Sequence, residues 1–375
     1  MKAYFSLFIS TVLLASASLV HATDLNGWLL GNYPMAFPLL KGKIEIGLDY
    51  QRINESIDVL NVRKDEYKKL SSADRATTPG DLWGVQLMLN YGLFNRTTLM
   101  SSFQYRHQDY GFDAVGIKTL DLALKQGLAD GHERWFPGLA LDMGIRVNWA
   151  SATLYDDQAE INAIVQRMAP GTNVSIRIDQ NFVWFDQDFD GGRISLGAPR
   201  QGRPDPQVSI GDLKDFSPYV RLTGGKIWGR FFPNLFIECG HTEISSNIDT
   251  TLTEYIPENF QDDLPRFPIE LSRSENYIKT GMGLYIKLPF NTLFQFEYDH
   301  LKLYRGDNLG YMDDNNIVKT DISYFLTPAL VFHIGGIYFE RQLNGEVPFL
   351  YNKYTQTTFD HPYGYAHMGL TYLFK

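Results

Sequence analysis

The sequence lacks the features on which several common protein classes depend. A single cysteine, Cys239, among 375 residues leaves no internal disulfide framework and no cluster of thiolate metal ligands. The 34 basic residues are outnumbered by 43 acidic ones, which argues against a nucleic-acid-binding surface. At the same time, 44% apolar and 14% aromatic residues are too many for a disordered chain. We therefore expect a folded protein without a nucleic-acid partner.

Long apolar runs are scarce as well. Residues 1–22 carry Lys2, then an apolar stretch, and end at Ala22 in the small-residue pattern that a signal peptidase accepts. Polar residues follow without a basic stop-transfer cluster, which favours a cleaved signal peptide over a membrane anchor. The mature chain, residues 23–375, is then a single exported domain. It contains no run near the ~20 apolar residues of a membrane helix, so a helical membrane protein is excluded.

What the chain has instead is a hydrophobic period of two. In residues 138–149, an apolar face that ends at Trp149 alternates with a polar face that carries Asp142 and Arg146. Successive side chains of a strand point to opposite faces, so such a segment has one apolar and one polar face. About twelve segments of roughly ten residues, long enough to cross a bilayer when tilted, show this pattern. They are 43–51, 83–91, 98–106, 119–126, 138–149, 216–227, 234–243, 277–288, 292–302, 317–326, 329–339 and 363–374.

The connections between these segments fall into two kinds. Short or moderate links lie at one end, and mostly longer links alternate with them at the other end. The longer links are residues 52–82, 107–118, 150–215, 244–276, 303–316 and 340–362. Short periplasmic turns and long extracellular loops are typical of an up-and-down outer-membrane β-barrel. An even strand count also places both termini at the end with the short turns.

Alternation alone does not separate a membrane barrel from a secreted sandwich or a water-soluble barrel, because it does not tell which face is inside. Three features favour the membrane: long unbroken apolar faces, charges on the polar face of nearly every strand, and aromatic residues near strand ends. These aromatic residues are Trp83, Tyr91, Phe103, Tyr105, Trp149, Tyr298, Tyr324 and Tyr372. The fold predicted is an all-β, transmembrane antiparallel barrel in the outer membrane, in contact with lipid and lipopolysaccharide.

Two stretches resemble known families. In the last strand, apolar residues alternate up to Phe374, which resembles the closing strand of Gram-negative outer-membrane proteins and implies recognition by the barrel-assembly machinery. Residues 91–99 (Tyr-Gly-Leu-Phe-Asn-Arg-Thr-Thr-Leu) through 136–144 (Phe-Pro-Gly-Leu-Ala-Leu-Asp-Met-Gly) are similar to putative outer-membrane transporters linked to meta-pathway phenol degradation. This second resemblance implies transport of an aromatic or apolar solute.

If the apolar faces meet lipid, the opposite parity lines the lumen. The candidate lining residues, chosen because they lie in mid-strand with inward parity, are Arg106, Asp142, Arg146, Lys279, Glu297 and Asp321. Acids and bases are nearly equal in number on this face. If they bridge the lumen, the barrel is closed; if they line opposite walls, they frame a polar pore. Few large apolar residues share this face, which favours the pore.

The loop at about 150–215 offers a constriction. Ile161, Ile164, Val165 and Met168 follow the spacing of a short amphipathic helix, which folds either over the barrel mouth or onto its own hairpin. Residues 173–179 and 191–197 form that hairpin in the second interpretation, and a hairpin that enters the bilayer would raise the strand count to fourteen.

Other chemistry is weakly represented. Asp186, Asp188 and Asp190 have the opening spacing of a calcium loop, but the closing acid is replaced by Gly197, so a solvated acidic loop is the simpler interpretation and no cofactor is predicted. No nucleophile elbow or zinc-binding helix motif is present. The predicted function is therefore a non-enzymatic channel or transporter for passive movement of small solutes. The alternatives are a non-conducting barrel whose loops bind a partner or surface, and a barrel hydrolase.

Overall fold

The fold is described from a computed structural model. It describes residues 36–54, 58, 81–109, 114–130, 137–151, 153–155, 158, 161–162, 165, 174–189, 192–256, 267–306, 312–352 and 359–374. The predicted signal peptide, residues 1–22, lies outside these ranges. In the described part of the chain, no helix is long and apolar enough to cross a membrane.

Twelve long strands form the main sheet, and each coincides with a segment of alternating hydrophobicity. They are β1 (Ile44–Ile53), β2 (Leu82–Phe94), β3 (Thr97–Asp109), β4 (Ala114–Asp130), β5 (Gly138–Ala150), β10 (Val208–Gly225), β11 (Phe231–Thr250), β13 (Arg273–Leu288), β14 (Thr292–Tyr304), β15 (Asp314–Thr327), β16 (Leu330–Phe339) and β17 (Tyr363–Phe374). Five shorter strands lie in the connections: β6 (Thr153–Tyr155), β7 (Val174–Ile178), β8 (Phe182–Phe189), β9 (Gly192–Pro199) and β12 (Ile269–Glu270).

The twelve long strands close into an antiparallel barrel. Each long strand pairs with the next one along the chain, β5 pairs with β10, and β1 pairs with β17 to complete the ring. Ile44 at the start of β1 lies opposite Phe374 at the end of β17, so both ends of the barrel sequence lie at the same rim. We call this rim the turn end and the opposite rim the loop end. One predicted long loop is shorter than expected, because β3 and β4 extend through most of residues 107–118.

The barrel is inside-out with respect to a soluble protein. Leu48 is 58% exposed on the outer surface, whereas its neighbour Asp49 is 5% exposed and faces the interior. The same contrast recurs along β2, where Leu87 is 49% exposed and Gln86 6%. A water-soluble barrel would show the reverse, because it buries its apolar face. The apolar outer surface and polar interior are those of a transmembrane barrel.

Aromatic side chains frame the outer surface at both rims. At the loop end, the Trp83 and Tyr105 rings lie 5.4 Å apart, and at the turn end Tyr372 and Phe374 lie 4.5 Å apart. Trp83 is 41% exposed and Tyr372 42% exposed, so these rings are available to the two interfaces of a bilayer.

The connection between β5 and β10 forms a sheet of its own. Strand β8 lies between β7 and β9 and pairs antiparallel with both. The predicted hairpin of 173–179 with 191–197 is therefore wrong, since residues 182–189 separate the two segments. This small sheet is not inserted between barrel strands, which keeps the barrel at twelve strands rather than fourteen.

The predicted helix in the same connection packs on this sheet. Ile161 and Val165 have helical conformation and are buried against a cluster that includes β7 and β8 side chains. The Asn162 side chain binds both the N–H and the carbonyl of Ile176 at 2.5 Å. Ile164 and Met168 lie outside the described residues. Packing of the connection on its own sheet was one of the two arrangements that the sequence left open.

Candidate solute path through the barrel

The interior wall carries a row of alternating charges across neighbouring strands. Lys125 on β4, Asp142 on β5, Arg221 on β10, Glu238 on β11 and Lys279 on β13 occupy successive positions in register. Lys125 Nζ lies 3.2 Å from Asp142, and the Arg221 Nε donates to Glu238 at 2.7 Å. Each charge thereby has an opposite charge on at least one adjacent strand, and the three inner members have one on both sides, which offsets part of the cost of removing them from water.

All six predicted lining residues lie on the interior wall, and each has an ionisable partner. Four pair with residues on the barrel wall: Arg146 with Asp121 at 3.1 Å, Lys279 with Asp299 at 2.9 Å, Glu297 with Lys319 at 2.7 Å, and Asp321 with His367 at 2.8 Å. Asp142 pairs with Lys125 in the row described above, and Arg106 pairs with Glu346 of the connection between β16 and β17 at 3.2 Å. Their influence on transport stays a prediction.

Most of these pairs run along the wall rather than across the lumen. Asp121 and Arg146 are direct cross-strand neighbours, as are Glu297 and Lys319. Such lateral pairs neutralise the wall without closing the space in front of it. The sequence offered two arrangements, a bridged lumen or opposed charged walls, and the described part of the barrel wall shows neither as its main pattern.

The structure that does cross the lumen is the connection between β16 and β17. Its first described part, residues 340–352, folds inward, and the 3-10 turn Pro348–Leu350 packs against β10 and β11 near the far side of the barrel. Its buried residues include Gln342, Leu343, Asn344, Val347, Phe349 and Tyr351. We call residues 340–352 the inward loop. The sequence pattern indicates a constriction in residues 150–215 instead, and the inward course of residues 340–352 was not predicted.

Polar contacts attach the inward loop to several strands. Glu346 pairs with Arg106 on β3, and its carbonyl accepts from Asn148 on β5 at 2.9 Å. Arg273 at the start of β13 donates to the Pro348 carbonyl at 3.0 Å. These contacts join three separate parts of the wall to one loop, so the loop forms a fixed constriction. In the sequence, the feature that could have indicated this loop is an acidic residue, Glu346, followed directly by the apolar residues 347–350.

Internal hydrogen bonds also hold the shape of the inward loop. The Tyr351 hydroxyl lies within hydrogen-bond distance of two carbonyl oxygens, 2.7 Å from that of Gln342 and 2.9 Å from that of Phe359. Burial raises the pKa of Tyr351, so the hydroxyl keeps its proton and remains a donor at ordinary pH. The Arg305 guanidinium reaches the Asn344 side-chain oxygen at 2.7 Å and Glu275 at 2.8 Å, which links the loop to β13.

A second constriction lies at the turn end, where residues 36–40 run along the inner wall. The Leu39 N–H donates to the inward-facing Thr98 hydroxyl at 2.8 Å. Glycines with inward parity leave room for the segment: an added Cβ at Gly127 would lie 2.9 Å from Pro38, one at Gly138 would lie 2.6 Å from Phe37, and one at Gly92 would overlap the Leu40 carbonyl. The absence of side chains at these sites allows the segment to lie against the wall.

Between the two constrictions lies a cavity of about 220 Å³. Charged side chains of the wall surround it, together with Glu346 of the inward loop and apolar side chains that include Met100, Leu301 and Ile337. Four predicted residues line it, namely Arg106, Asp142, Arg146 and Lys279; Glu297 and Asp321 are buried on the same wall but are not among its lining residues. The cavity therefore offers both charged and apolar surfaces to a solute.

Two aspartate–histidine pairs on the wall were not foreseen from the sequence. His333 on β16 bonds Asp49 on β1 at 2.7 Å across Gly369, which lies between them on β17. His367 on β17 bonds Asp321 on β15 at 2.8 Å across Gly335 on β16. In each case, the glycine of the middle strand allows side chains two strands apart to meet. Such a pair can be predicted only when the strand register is known, because the register determines which glycine lies beside the histidine on the neighbouring strand.

The weak calcium candidate has other partners. Asp186 is buried, accepts a hydrogen bond from the Ser195 hydroxyl at 2.5 Å and lies 3.6 Å from Arg177. Asp188 is paired with Arg193 at 3.0 Å. Asp190 lies outside the described residues, and no group of three or more histidine, cysteine or acidic side chains suited to a metal occurs within the described ranges.

Comparison with known proteins gives the following results. No protein-family model and no curated protein matches the chain. Among solved structures, the NanC porin matches with 9% identity and a TM-score of 0.40, over 88% of this chain and 98% of that chain. The translocator domain of the autotransporter NalP from Neisseria meningitidis matches with 7% identity and a TM-score of 0.43, over 99% and 96%.

A FadL homologue from Pseudomonas aeruginosa matches with 10% identity and a TM-score of 0.39, over 96% of this chain and 95% of that one. At such identities and TM-scores, these similarities leave the function to be argued from the geometry of this chain. The resemblance to transporters linked to phenol degradation stays a prediction.

Proposed function

We propose that the protein is an outer-membrane channel through which small polar solutes diffuse passively. The observation that carries this proposal is the lateral pairing of the interior charges. Because Lys125, Asp142, Arg221 and Glu238 neutralise one another along the wall, the charged interior does not have to close on itself. A cavity of about 220 Å³ remains in front of this wall. Selectivity in such a channel follows from the lining charges and from the constrictions at either end.

The same proposal assigns the surroundings of the barrel. The apolar outer surface contacts outer-membrane lipid and lipopolysaccharide, the loop end is extracellular, and the turn end is periplasmic. Export uses the predicted signal peptide over residues 1–22, and the barrel-assembly machinery recognises the last strand, which ends at Phe374. The outward-facing aromatic residues at both rims support this placement, since such residues mark the two interfaces of a bilayer barrel.

Planar-bilayer conductance tests the proposal. The chain without residues 1–22 is refolded in detergent, and its folding is established first by the altered mobility of unheated samples on gels. Reproducible discrete current steps are the expected result. Folded protein that never conducts, over a range of voltages and salt concentrations, would contradict the channel and favour a non-conducting barrel.

The first rival function is that of a non-conducting barrel whose extracellular loops bind a partner. The packed core at the loop end favours it: Ile161, Val174 and Phe185 of the β5–β10 connection belong to the same buried cluster as Phe349 of the inward loop. Deleting residues 174–199 separates the two functions. In a channel this deletion leaves a conducting barrel, whereas in a binding protein it abolishes binding and the barrel conducts neither before nor after the deletion.

A hydrolase is the remaining alternative. Asp49 with His333 and Asp321 with His367 are the arrangements that could support acid–base chemistry. A nucleophile must also lie within hydrogen-bond reach of such a base. We expect no hydrolysis of lipid or peptide substrates by the refolded protein, and activity that is lost in His333→Ala or His367→Ala would overturn this expectation.

A further inference from the structure

Acidic and basic side chains line the cavity in nearly equal number, but they differ in how far they are exposed to it. Arg146, Arg221, Lys279 and Lys319 line the cavity. Their side chains keep 20%, 15%, 13% and 13% exposure, respectively. We call these four residues the cationic patch. Interior groups that retain exposure are the ones that a dissolved ion or solute can contact.

The carboxylates that pair with three of the four cations lie behind them. Asp142, Glu238 and Asp299 have 0% side-chain exposure, and Glu297 has 1%. Asp142 and Glu238 belong to the cavity lining, but at 0% exposure they leave almost no carboxylate surface for a solute to contact. Asp299 is held by Lys279 at 2.9 Å and by Lys319 at 3.2 Å. Around Arg221, Lys279 and Lys319 the carboxylates therefore lie deeper than the cations they hold, whereas Arg106 and Lys125 are cations that are themselves buried.

Two carboxylates remain accessible, and both are already engaged. Asp121, with 24% exposure, accepts from Arg146 at 3.1 Å and from the Tyr219 hydroxyl at 2.8 Å. Glu346, with 26% exposure, is paired with Arg106. Arg146 donates to Asp121 through Nε, and no described residue accepts a hydrogen bond from its two Nη atoms. The Arg146 fork can therefore bind a further carboxylate from the cavity.

An apolar surface lies beside the cationic patch. Leu301 on β14 is the direct cross-strand neighbour of Lys279, and it packs in the interior with Tyr219, Tyr277 and Ala123. Met100 packs against the same cluster. A solute that carries a carboxylate on a compact apolar body would satisfy both surfaces at once, because binding sites combine a few placed polar groups with apolar walls.

We propose that the cavity is a binding site for small organic anions, with the cationic patch holding the anionic group and the Leu301 cluster holding the apolar body. This inference deepens the proposed channel function and rests on it for transport. Binding itself needs only the folded barrel, so the two proposals are separable by experiment.

Two probes of similar shape and opposite charge test the site. Benzoate and benzylammonium are titrated separately into the refolded chain without residues 1–22, with binding followed by calorimetry. Benzoate is expected to bind and benzylammonium is not. The same samples give the permeability ratio of chloride to potassium from the reversal potential across a salt gradient, with chloride expected to be preferred.

Three variants complete the test. Lys279→Gln leaves Asp299 paired with Lys319, and Arg146→Gln leaves Asp121 bonded to the Tyr219 hydroxyl, so the wall keeps partial compensation. Lys214→Gln removes an equal charge from an exposed side chain, 59% accessible, that is not in the cavity. Each interior variant is expected to weaken benzoate binding and to lower the chloride preference about twofold, the effect of one charge acting across roughly 10 Å of water. Lys214→Gln is expected to change neither.

The outcomes separate the two proposals. Benzoate binding that depends on Lys279 and Arg146 supports the anion site even in a barrel that passes no current, and only the channel would then be lost. A conducting barrel that binds neither probe and shows no chloride preference would overturn the anion site and leave the channel intact. Equal binding of benzoate and benzylammonium would also overturn it.

Discussion

The inward loop should limit the conductance of the barrel, and Gly345→Ala is the most direct way to displace it. Gly345 has φ +80°, a left-handed conformation that costs an L-residue roughly 1–2 kcal/mol. A Cβ at this position would also overlap the Leu301 side chain, and overpacking of this kind costs typically about 1–3 kcal/mol. The two effects together disfavour the inward position of the loop by about 2–5 kcal/mol.

Since about 1.4 kcal/mol corresponds to a tenfold change in an equilibrium, the ratio of seated to displaced loop should fall by roughly 30-fold to several thousandfold. The expected result is a larger conductance level, or a larger fraction of time spent in it. Single-channel recording measures both, and the gel-mobility assay establishes that the variant barrel is folded.

Gly202→Ala is the matched control. Gly202 has φ +79°, so alanine meets the same backbone strain, but nothing lies within 4 Å of the added Cβ. It lies outside the lumen in the β5–β10 connection, and its substitution should leave the conductance unchanged. If folded Gly345→Ala conducts like the wild type, the inward loop does not limit the conductance of the barrel.

Three further substitutions test other parts of the structure. Gly92→Ala overlaps the Leu40 carbonyl and should displace residues 36–40 from the turn end, seen as raised conductance; an unchanged current would show that this segment does not restrict the path. Tyr351→Phe removes a buried donor between two loop carbonyls and should loosen the inward loop by about 1–3 kcal/mol, seen as more frequent large-conductance openings; identical gating would contradict the role given to this hydroxyl. Gly369→Ala places a Cβ against the Asp49 carboxylate and the adjacent backbone, so it should lower the temperature at which half of the barrel unfolds, as followed on gels. The control is Gly336→Ala, whose Cβ meets only an ordinary contact at 3.5 Å and should leave this temperature unchanged. Equal midpoints for the two variants would argue against a tight fit where β17 meets β1.

The strands and their inward or outward parity are readable from the sequence because both are local properties. Side chains alternate along a strand whatever its neighbours, so the pattern of Asp142 and Arg146 within an apolar segment fixes their shared face. The same pattern gave the strand count and placed both termini at one rim. Alternation by itself does not show which face meets lipid, because it is symmetric between an inside-out and an outside-in barrel; the long apolar faces, the charges on the polar faces and the aromatic residues near strand ends predicted the membrane barrel that the structure has.

The contacts that form the solute path depend on register, which links residues far apart in the chain. Lys125 meets Asp142, and Arg221 meets Glu238, only because four strands pair at particular positions. A shift of one residue would turn these side chains to the other surface. Nearly equal numbers of acids and bases therefore suggested a neutral lumen, whereas their depths in the wall leave mainly cations at its surface.

The inward loop illustrates the same division most clearly. Glu346 and its apolar neighbours are close to β16 in sequence, but their partners Arg106, Asn148 and Arg273 belong to three distant strands. A loop has no internal period from which its path can be predicted, and its conformation follows from the cavity that the closed barrel provides. The barrel wall is thus a consequence of local alternation, whereas the constriction and the charge that a solute meets arise only when the strands are assembled.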